Sequence, residues 1–270
     1  MKDKTFSSSL IRYFLFFLMV VFLILIGLWI IAVPENKIKD AVENPTSRNS
    51  PGAELSGIRK GLFYNFKADR ITFKRMGQEL LYIEDASVNI NPFYLFLLKL
   101  DFSFKGKIRD GVLSGNTVIS RNKKLLNIKL DNADIIDIPY LKDIGLKGTG
   151  ILNAQFVIKD LAGELKFSID NAVFEGAVFS DITVPMEIFD KIKGFVKTED
   201  DVIKVESLSL EGKGIYGRVK GTIKNNSADL TLEIMPEASA GDKFPALIFL
   251  ERYKVSPGYY LIPLKTKFKI

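Results

Sequence analysis

The chain has no cysteine and no histidine. Without thiols there is no disulfide, no thiolate nucleophile and no cysteine-ligated zinc or iron–sulfur centre. Without imidazole the usual general base and transition-metal ligand is missing as well. Charge of one sign is scarcely clustered. Over 270 residues, 38 Lys and Arg oppose 32 Asp and Glu, for a net charge of +6. Lys123-Lys124 is the notable basic pair in the middle of the chain. Nucleic-acid surfaces cluster cations with interleaved aromatics, so no nucleic-acid partner is expected.

One long apolar run is present. Tyr13 to Val33 reads YFLFFLMVVFLILIGLWIIAV, with no charged residue. As a helix rising 1.5 Å per residue it reaches across a hydrocarbon core of about 30 Å. It is longer than the apolar part of a secretory signal, and Ala32-Val33-Pro34 offers no A-x-A cleavage pattern. The run therefore reads as an uncleaved anchor. Lys2, Lys4 and Arg12 precede it against Asp3, while Glu35 and Asp40 balance Lys37 and Lys39 after it. The positive-inside bias holds the N-terminus in the cytoplasm and exports the rest.

This divides the chain into a cytoplasmic stub (1–9), a transmembrane signal anchor (10–33), a short helix and linker (34–53) and a β-rich periplasmic domain (54–270). Pro34 suits the first turn of a helix, and Ile38, Ala41 and Val42 fall on one face. That helix is expected at the membrane surface. Asn44 to Gly52 has the composition of a linker that lets the domain stand away from the bilayer.

From Leu55 onward the hydrophobic period is two. Phe102, Phe104 and Ile108 share one face, opposite Asp101, Ser103, Lys105 and Lys107. Phe156 and Ile158, then Leu165, Phe167 and Ile169, then Leu230, Leu232 and Ile234 repeat the pattern. Tyr260, Ile262, Leu264, Phe268 and Ile270 close it. Each run is a strand with one apolar and one solvated face. Turn residues at Arg109-Asp110-Gly111, Asp160 to Gly163, Glu211 to Gly214 and Asn225 to Ser227 separate the runs. Helical interruptions are few: Phe93 to Leu100 as a short helix or an edge-crossing strand, one turn at Pro139 to Ile144, and Phe244 to Tyr253.

So many one-sided strands must cover their apolar faces. Two packed sheets, or one long sheet curled into a half-pipe with its apolar side inward, both do so. A closed outer-membrane barrel also alternates, but a long apolar helix stops export at the inner membrane. The residues above (Phe102, Phe104, Ile108, Phe156, Ile158, Leu165, Phe167, Ile169, Leu230, Leu232, Ile234) are the candidate lining of an apolar trough for lipid.

Chemistry-bearing motifs are thin. Asp131, Asp134 and Asp137 recur every three residues but lack the glycine and terminal Glu of a calcium loop, so they read as edge or turn carboxylates. Glu199-Asp200-Asp201 reads as an acidic turn. Gly212 to Gly217 has some spacing of a phosphate loop, but a strand, not a helix, follows it. No nucleophile–base pair is evident, so no enzyme, no catalytic residue, no cofactor and no metal are expected.

The segment ADIIDIPYLKDIGLKGTGILNAQFVI (Ala133 to Ile158) resembles a unit of the type II secretion system protein N family, GspN. FPALIFLERYKVSPGYYLIPLKTKFKI (Phe244 to Ile270) resembles that family's closing helix, Pro-Gly turn and terminal strand. Ile71 to Gly115 is similar to repeats of AsmA and TamB-like envelope proteins. The resemblance covers most of Pro34 to Ile270 as a pattern and carries no functional residue across by position. It implies a single N-terminal transmembrane helix followed by a long, curved, mostly antiparallel β-sheet, an AsmA-like half-pipe with an open trough and a few short helices. It also implies a non-enzymatic, inner-membrane-anchored periplasmic component of the bacterial type II secretion system, with secretion-system subunits as partners, and as the alternative an AsmA-like lipid-binding or lipid-transfer protein of the cell envelope with phospholipid as ligand.

Overall fold

The computed structural model describes residues 34–43, 52–61, 63–75, 77–95, 97–143, 147–175, 177–179, 182–184, 186–225, 227–237 and 250–267, with single positions between 13 and 31. The expected stub 1–9, most of the linker, and residues 268–270 lie outside the described residues. The expected span, 10–33, includes many positions outside them, and those that are described are helical. Among the described residues no helix is long and apolar enough to cross a membrane.

The strands are β1 (Gly52–Ser56), β2 (Arg59–Lys60), β3 (Asn65–Arg75), β4 (Gln78–Ile90), β5 (Leu100–Ile108), β6 (Gly111–Ser120), β7 (Lys123–Asp134), β8 (Gly148–Lys159) and β9 (Ala162–Phe174). They continue as β10 (Ala177–Phe179), β11 (Ile182–Val184), β12 (Lys191–Glu199), β13 (Val202–Gly212), β14 (Ile215–Lys224), β15 (Ser227–Pro236), β16 (Lys254–Ser256) and β17 (Tyr259–Lys267). Short helices are α1 (Glu35–Glu43), α2 (Pro92–Leu95) and α3 (Pro139–Asp143), with single 3-10 turns at Ile135–Asp137 and Met186–Ile188.

Fifteen strands form one sheet in the order β1-β3-β4-β5-β6-β7-β8-β9-β12-β13-β14-β15-β17-β16, with β2 beside β3. Its pairings are antiparallel, and β10–β11 is a separate hairpin. Sequence neighbours are mostly sheet neighbours because two-residue turns join them. Asp160, Asp200 and Asn225 open such turns with φ of 58°, 51° and 48°, the left-handed region that Asp and Asn tolerate best. The sheet is open: β1 and β16 end its order without pairing each other. Among the described residues there is no second large sheet, so neither the sandwich nor the closed barrel is the architecture.

Strict alternation breaks three times in the same way. Ile83-Glu84-Asp85-Ala86, Leu130-Asp131-Asn132-Ala133 and Ile169-Asp170-Asn171-Ala172 each bury the first and fourth residues. The third residue has φ of 49°, 57° and 54° respectively. The register slips at or beside each tetrad. Each is a β-bulge that inserts an extra outward residue and bends its strand. The acidic second residue stays on the solvated face, where Glu84 meets Arg70 at 2.6 Å and Asp170 meets Lys191 at 2.8 Å.

The two strand ends differ. At one, β6–β7, β8–β9, β12–β13 and β14–β15 turn tightly; this is the turn end. At the other, β5–β6 and β13–β14 also turn tightly, but β7, β9 and β15 are followed by the long connections 135–147, 175–190 and 237–253; this is the capped end. There α3, which follows β7, touches β4, and β10 touches β17 across the intervening strands. Phe189, Leu250 and Ile135 from these connections are buried against Ile169, Ile192, Leu210, Leu232, Ile234 and Ile262. A second buried cluster joins Leu55, Ile83, Ile108, Leu113 and Leu130.

The N-terminal helix packs on the sheet. Val42 of α1 packs on the second cluster. The Glu43 carboxylate accepts the Leu55 N–H at 3.0 Å, and the Glu35 carboxylate accepts the Lys60 N–H at 3.0 Å. The two acids satisfy edge-strand donors that would otherwise face water unpaired, so α1 is seated on the sheet.

Candidate functional site

The register aligns the apolar residues into rows across the sheet. One row runs Phe104, Gly115, Ile128, Phe156, Leu165, Val196, Val205, Gly221, Leu230, Leu264. At about 4.8 Å per strand it crosses roughly 40 Å of sheet. Nearer the turn end a second row runs Phe102, Thr117, Leu126, Ile158, Gly163, Thr198, Ile203, Ile223, Ala228. Neither row contains a charged residue.

These rows differ in cover from those at the capped end. Phe102, Phe104, Phe156, Ile158, Leu165, Phe167 and Leu230 are half-buried. Ile108, Ile169, Leu232 and Ile234 were expected in the same lining, but they are 1%, 4%, 1% and 0% exposed. They are core residues. The capping connections cover Ile169, Leu232 and Ile234, and Ile108 is shut in by Ile83, Leu113 and Ala133. Among the described residues the apolar face is thus closed at one end and only half-buried toward the other.

The aromatic rings lie down rather than fill the face. Gly115 sits across from Phe104, and a Cβ there would meet the ring at 2.4 Å. Gly194 sits across from Phe167, and its Cβ would meet that ring at 2.2 Å. A ring laid over a neighbouring glycine covers backbone and keeps a low profile. Leu126, Ile128 and Val196 belong to the same floor and were not anticipated. The alternation Leu126, Ile128, Leu130 in β7 carried that signal.

The three aspartates spaced by three do separate jobs. Asp131 pairs with Lys129 at 2.8 Å. Asp134 caps the turn Ile135–Asp137, accepting the Ile136 N–H at 3.2 Å, and also accepts the Gly150 N–H at 3.4 Å. Asp137 meets the Arg109 guanidinium at 3.0 Å, and Arg109 also donates to the Tyr82 hydroxyl at 2.9 Å. Among the described residues no group of His, Cys, Asp or Glu is arranged to hold a metal.

Burial raises the Asp137 carboxyl above its ordinary value, and Arg109 pulls it partly back. A folded-state acid with a raised pKa binds protons more tightly than the unfolded chain does. Stability therefore falls as pH rises from the ordinary carboxylate value of 3.8 through the raised one. Asp137→Asn is expected to flatten that acid-side slope, read as melting temperature against pH.

Comparisons of the chain with protein-family models, with curated proteins and with solved structures found no match. The class defined here is structural: a mainly β protein with one long, open antiparallel sheet and a few short helices.

Proposed function

We propose that the chain is a non-enzymatic protein anchored in the bacterial inner membrane, whose sheet curls into a half-pipe and holds acyl chains on its apolar face. The observation that carries this reading is the pair of charge-free rows, most of whose residues are half-buried, between the turn end and the closed core. An acyl chain is the occupant this chemistry favours. A peptide would bring backbone N–H and C=O groups, and a floor of Phe, Leu, Ile, Val, Ala and Gly, with only the Thr117 and Thr198 hydroxyls among them, leaves most of those groups without partners. An acyl chain brings none. Its transfer from bilayer to trough is apolar to apolar, so binding stays reversible. The anchor reading rests on the run Tyr13–Val33 and on the cations that precede it.

The purified chain is expected to carry phospholipid detectable by mass spectrometry after extensive detergent exchange. A dry inner face with no lipid contradicts the reading.

Service in type II secretion is a second proposal. Its support is local: Ile135–Asp137 and α3 followed by Gly148 and β8, then Pro257-Gly258 and β17, reproduce the order of elements on which the resemblance rests. A deletion strain that secretes normally, with no secretion subunit captured by the chain, speaks against it.

A further inference from the structure

The link between β4 and β5 is unlike the other turn-end links. It is nine residues long, 91–99, where β6–β7, β8–β9 and β12–β13 are each joined by two. Its backbone is tied down. The Asn91 N–H donates to the Asp101 carbonyl at 2.8 Å, and the Leu97 and Lys99 N–H groups both donate to the Tyr94 carbonyl at 3.0 Å. Yet the described residues of this link present Phe93, Leu97 and Leu98 to the outside, Leu98 being 89% exposed. The β8–β9 turn does the same with Leu161, which is 81% exposed. Exposed leucine on a fixed tip is not needed to make a turn.

Cations surround these tips. Lys99 ends the link, Arg121, Lys123 and Lys124 lie at the β6–β7 turn, and Lys159 precedes the β8–β9 turn. Among the described residues none of the five makes a salt bridge. Asp160, in the same cluster, accepts the Lys124 N–H at 3.0 Å.

The chain also enters the sheet at this end. Trp29 is 4% exposed, stacks on Tyr64 with centroids 4.9 Å apart, and donates from Nε1 to the Gly61 carbonyl at 2.8 Å. Gly61 and Tyr64 precede β3 at the turn end, where the Ile90 N–H donates to the Tyr64 carbonyl at 2.8 Å. From there α1 runs from its Glu35 contact at Lys60 toward its Glu43 contact at Leu55, in the direction of the capped end. The apolar run before Trp29 is therefore joined to the turn end.

We infer that the turn end of β4 to β9 is a bilayer-contact surface. Phe93, Leu97, Leu98 and Leu161 enter the leaflet from which the anchor emerges, and Lys99, Arg121, Lys123 and Lys124 meet anionic headgroups. Apolar tips ringed by unpaired cations are the chemistry of a membrane interface. The uncovered rows then open toward lipid rather than water, and an acyl chain enters the trough without crossing solvent. This inference rests on the anchor reading above.

The test uses the full chain in vesicles of phosphatidylcholine with and without phosphatidylglycerol. With no native cysteine, Leu97→Cys and Leu161→Cys each take one polarity-sensitive dye. Ile136→Cys, on an exposed residue at the capped end, is the comparison. The turn-end labels are expected to be quenched several-fold more by nitroxide lipid, and less by iodide, than the Ile136 label. Lys123→Glu with Lys124→Glu is expected to reduce that quenching only where phosphatidylglycerol is present. Chains that float with vesicles while all three labels stay equally open to iodide overturn the inference and leave the anchor standing. Chains that do not float overturn both.

Discussion

Leu165→Asp, and separately Phe156→Asp, is expected to remove bound phospholipid at least tenfold without unfolding the chain. The two residues face each other across β8 and β9, in the row that crosses the sheet from Phe104 to Leu264. Both are half-buried. In an empty trough water reaches the new carboxylate, so the fold is retained. An acyl chain laid over it would strip that water, and no row neighbour offers a cation. Desolvating an unpaired carboxylate costs several kcal/mol, and about 1.4 kcal/mol already changes occupancy tenfold. Gln155→Asp lies one residue away on the exposed opposite face and is expected to leave the lipid in place. Phospholipid per chain by mass spectrometry, with circular dichroism as the check on folding, reads the difference.

Phe189→Ala and Ile234→Ala are expected to be far more damaging to stability than Leu165→Ala. Phe189 and Ile234 are both 0% exposed and belong to the same buried cluster at the capped end. Truncating them should cost about 3–5 and about 2–5 kcal/mol, the range for transfer plus cavity in a closed core. Leu165 is half-buried, so its truncation forfeits only part of the roughly 1.5–3 kcal/mol of a fully buried aliphatic side chain. Denaturant midpoints across the three variants should order accordingly. Equal losses at Leu165 and Ile234 would mean that the whole apolar face is a closed core.

Much of the sheet was legible in the sequence because a strand's side-chain period is two. Phe102 with Phe104, Phe156 with Ile158, and Leu165 with Phe167 were placed on one face by alternation alone, and the register puts them there. What alternation cannot reveal is cover. Leu165 and Ile234 read alike along their strands. They differ because Phe189 and Leu250, distant in sequence, pack at the capped end. The bulges were missed for another reason. Leu130 and Ala133 are three apart, which breaks the period, and Asp131 between them reads as one of the carboxylates spaced by three, with Asp134 and Asp137. The recurrence of Ile-Glu-Asp-Ala, Leu-Asp-Asn-Ala and Ile-Asp-Asn-Ala was the available signal, with Asp or Asn at the one position where a left-handed residue is required. The seating of α1 was hidden too. Its composition suits a membrane surface equally well, and only the Glu43 and Glu35 contacts reveal the sheet edge as its partner.

The central claim is that acyl chains lie on the uncovered rows. A phospholipid carrying a photoreactive group within its acyl chain, incorporated with the full-length protein and activated by light, tests it most directly. After digestion, adducts are expected on the β5, β8 and β9 peptides at Phe104, Phe156 and Leu165, beside those on the run Tyr13–Val33. Adducts confined to that run would show that lipid surrounds the anchor and never reaches the sheet, contradicting the account.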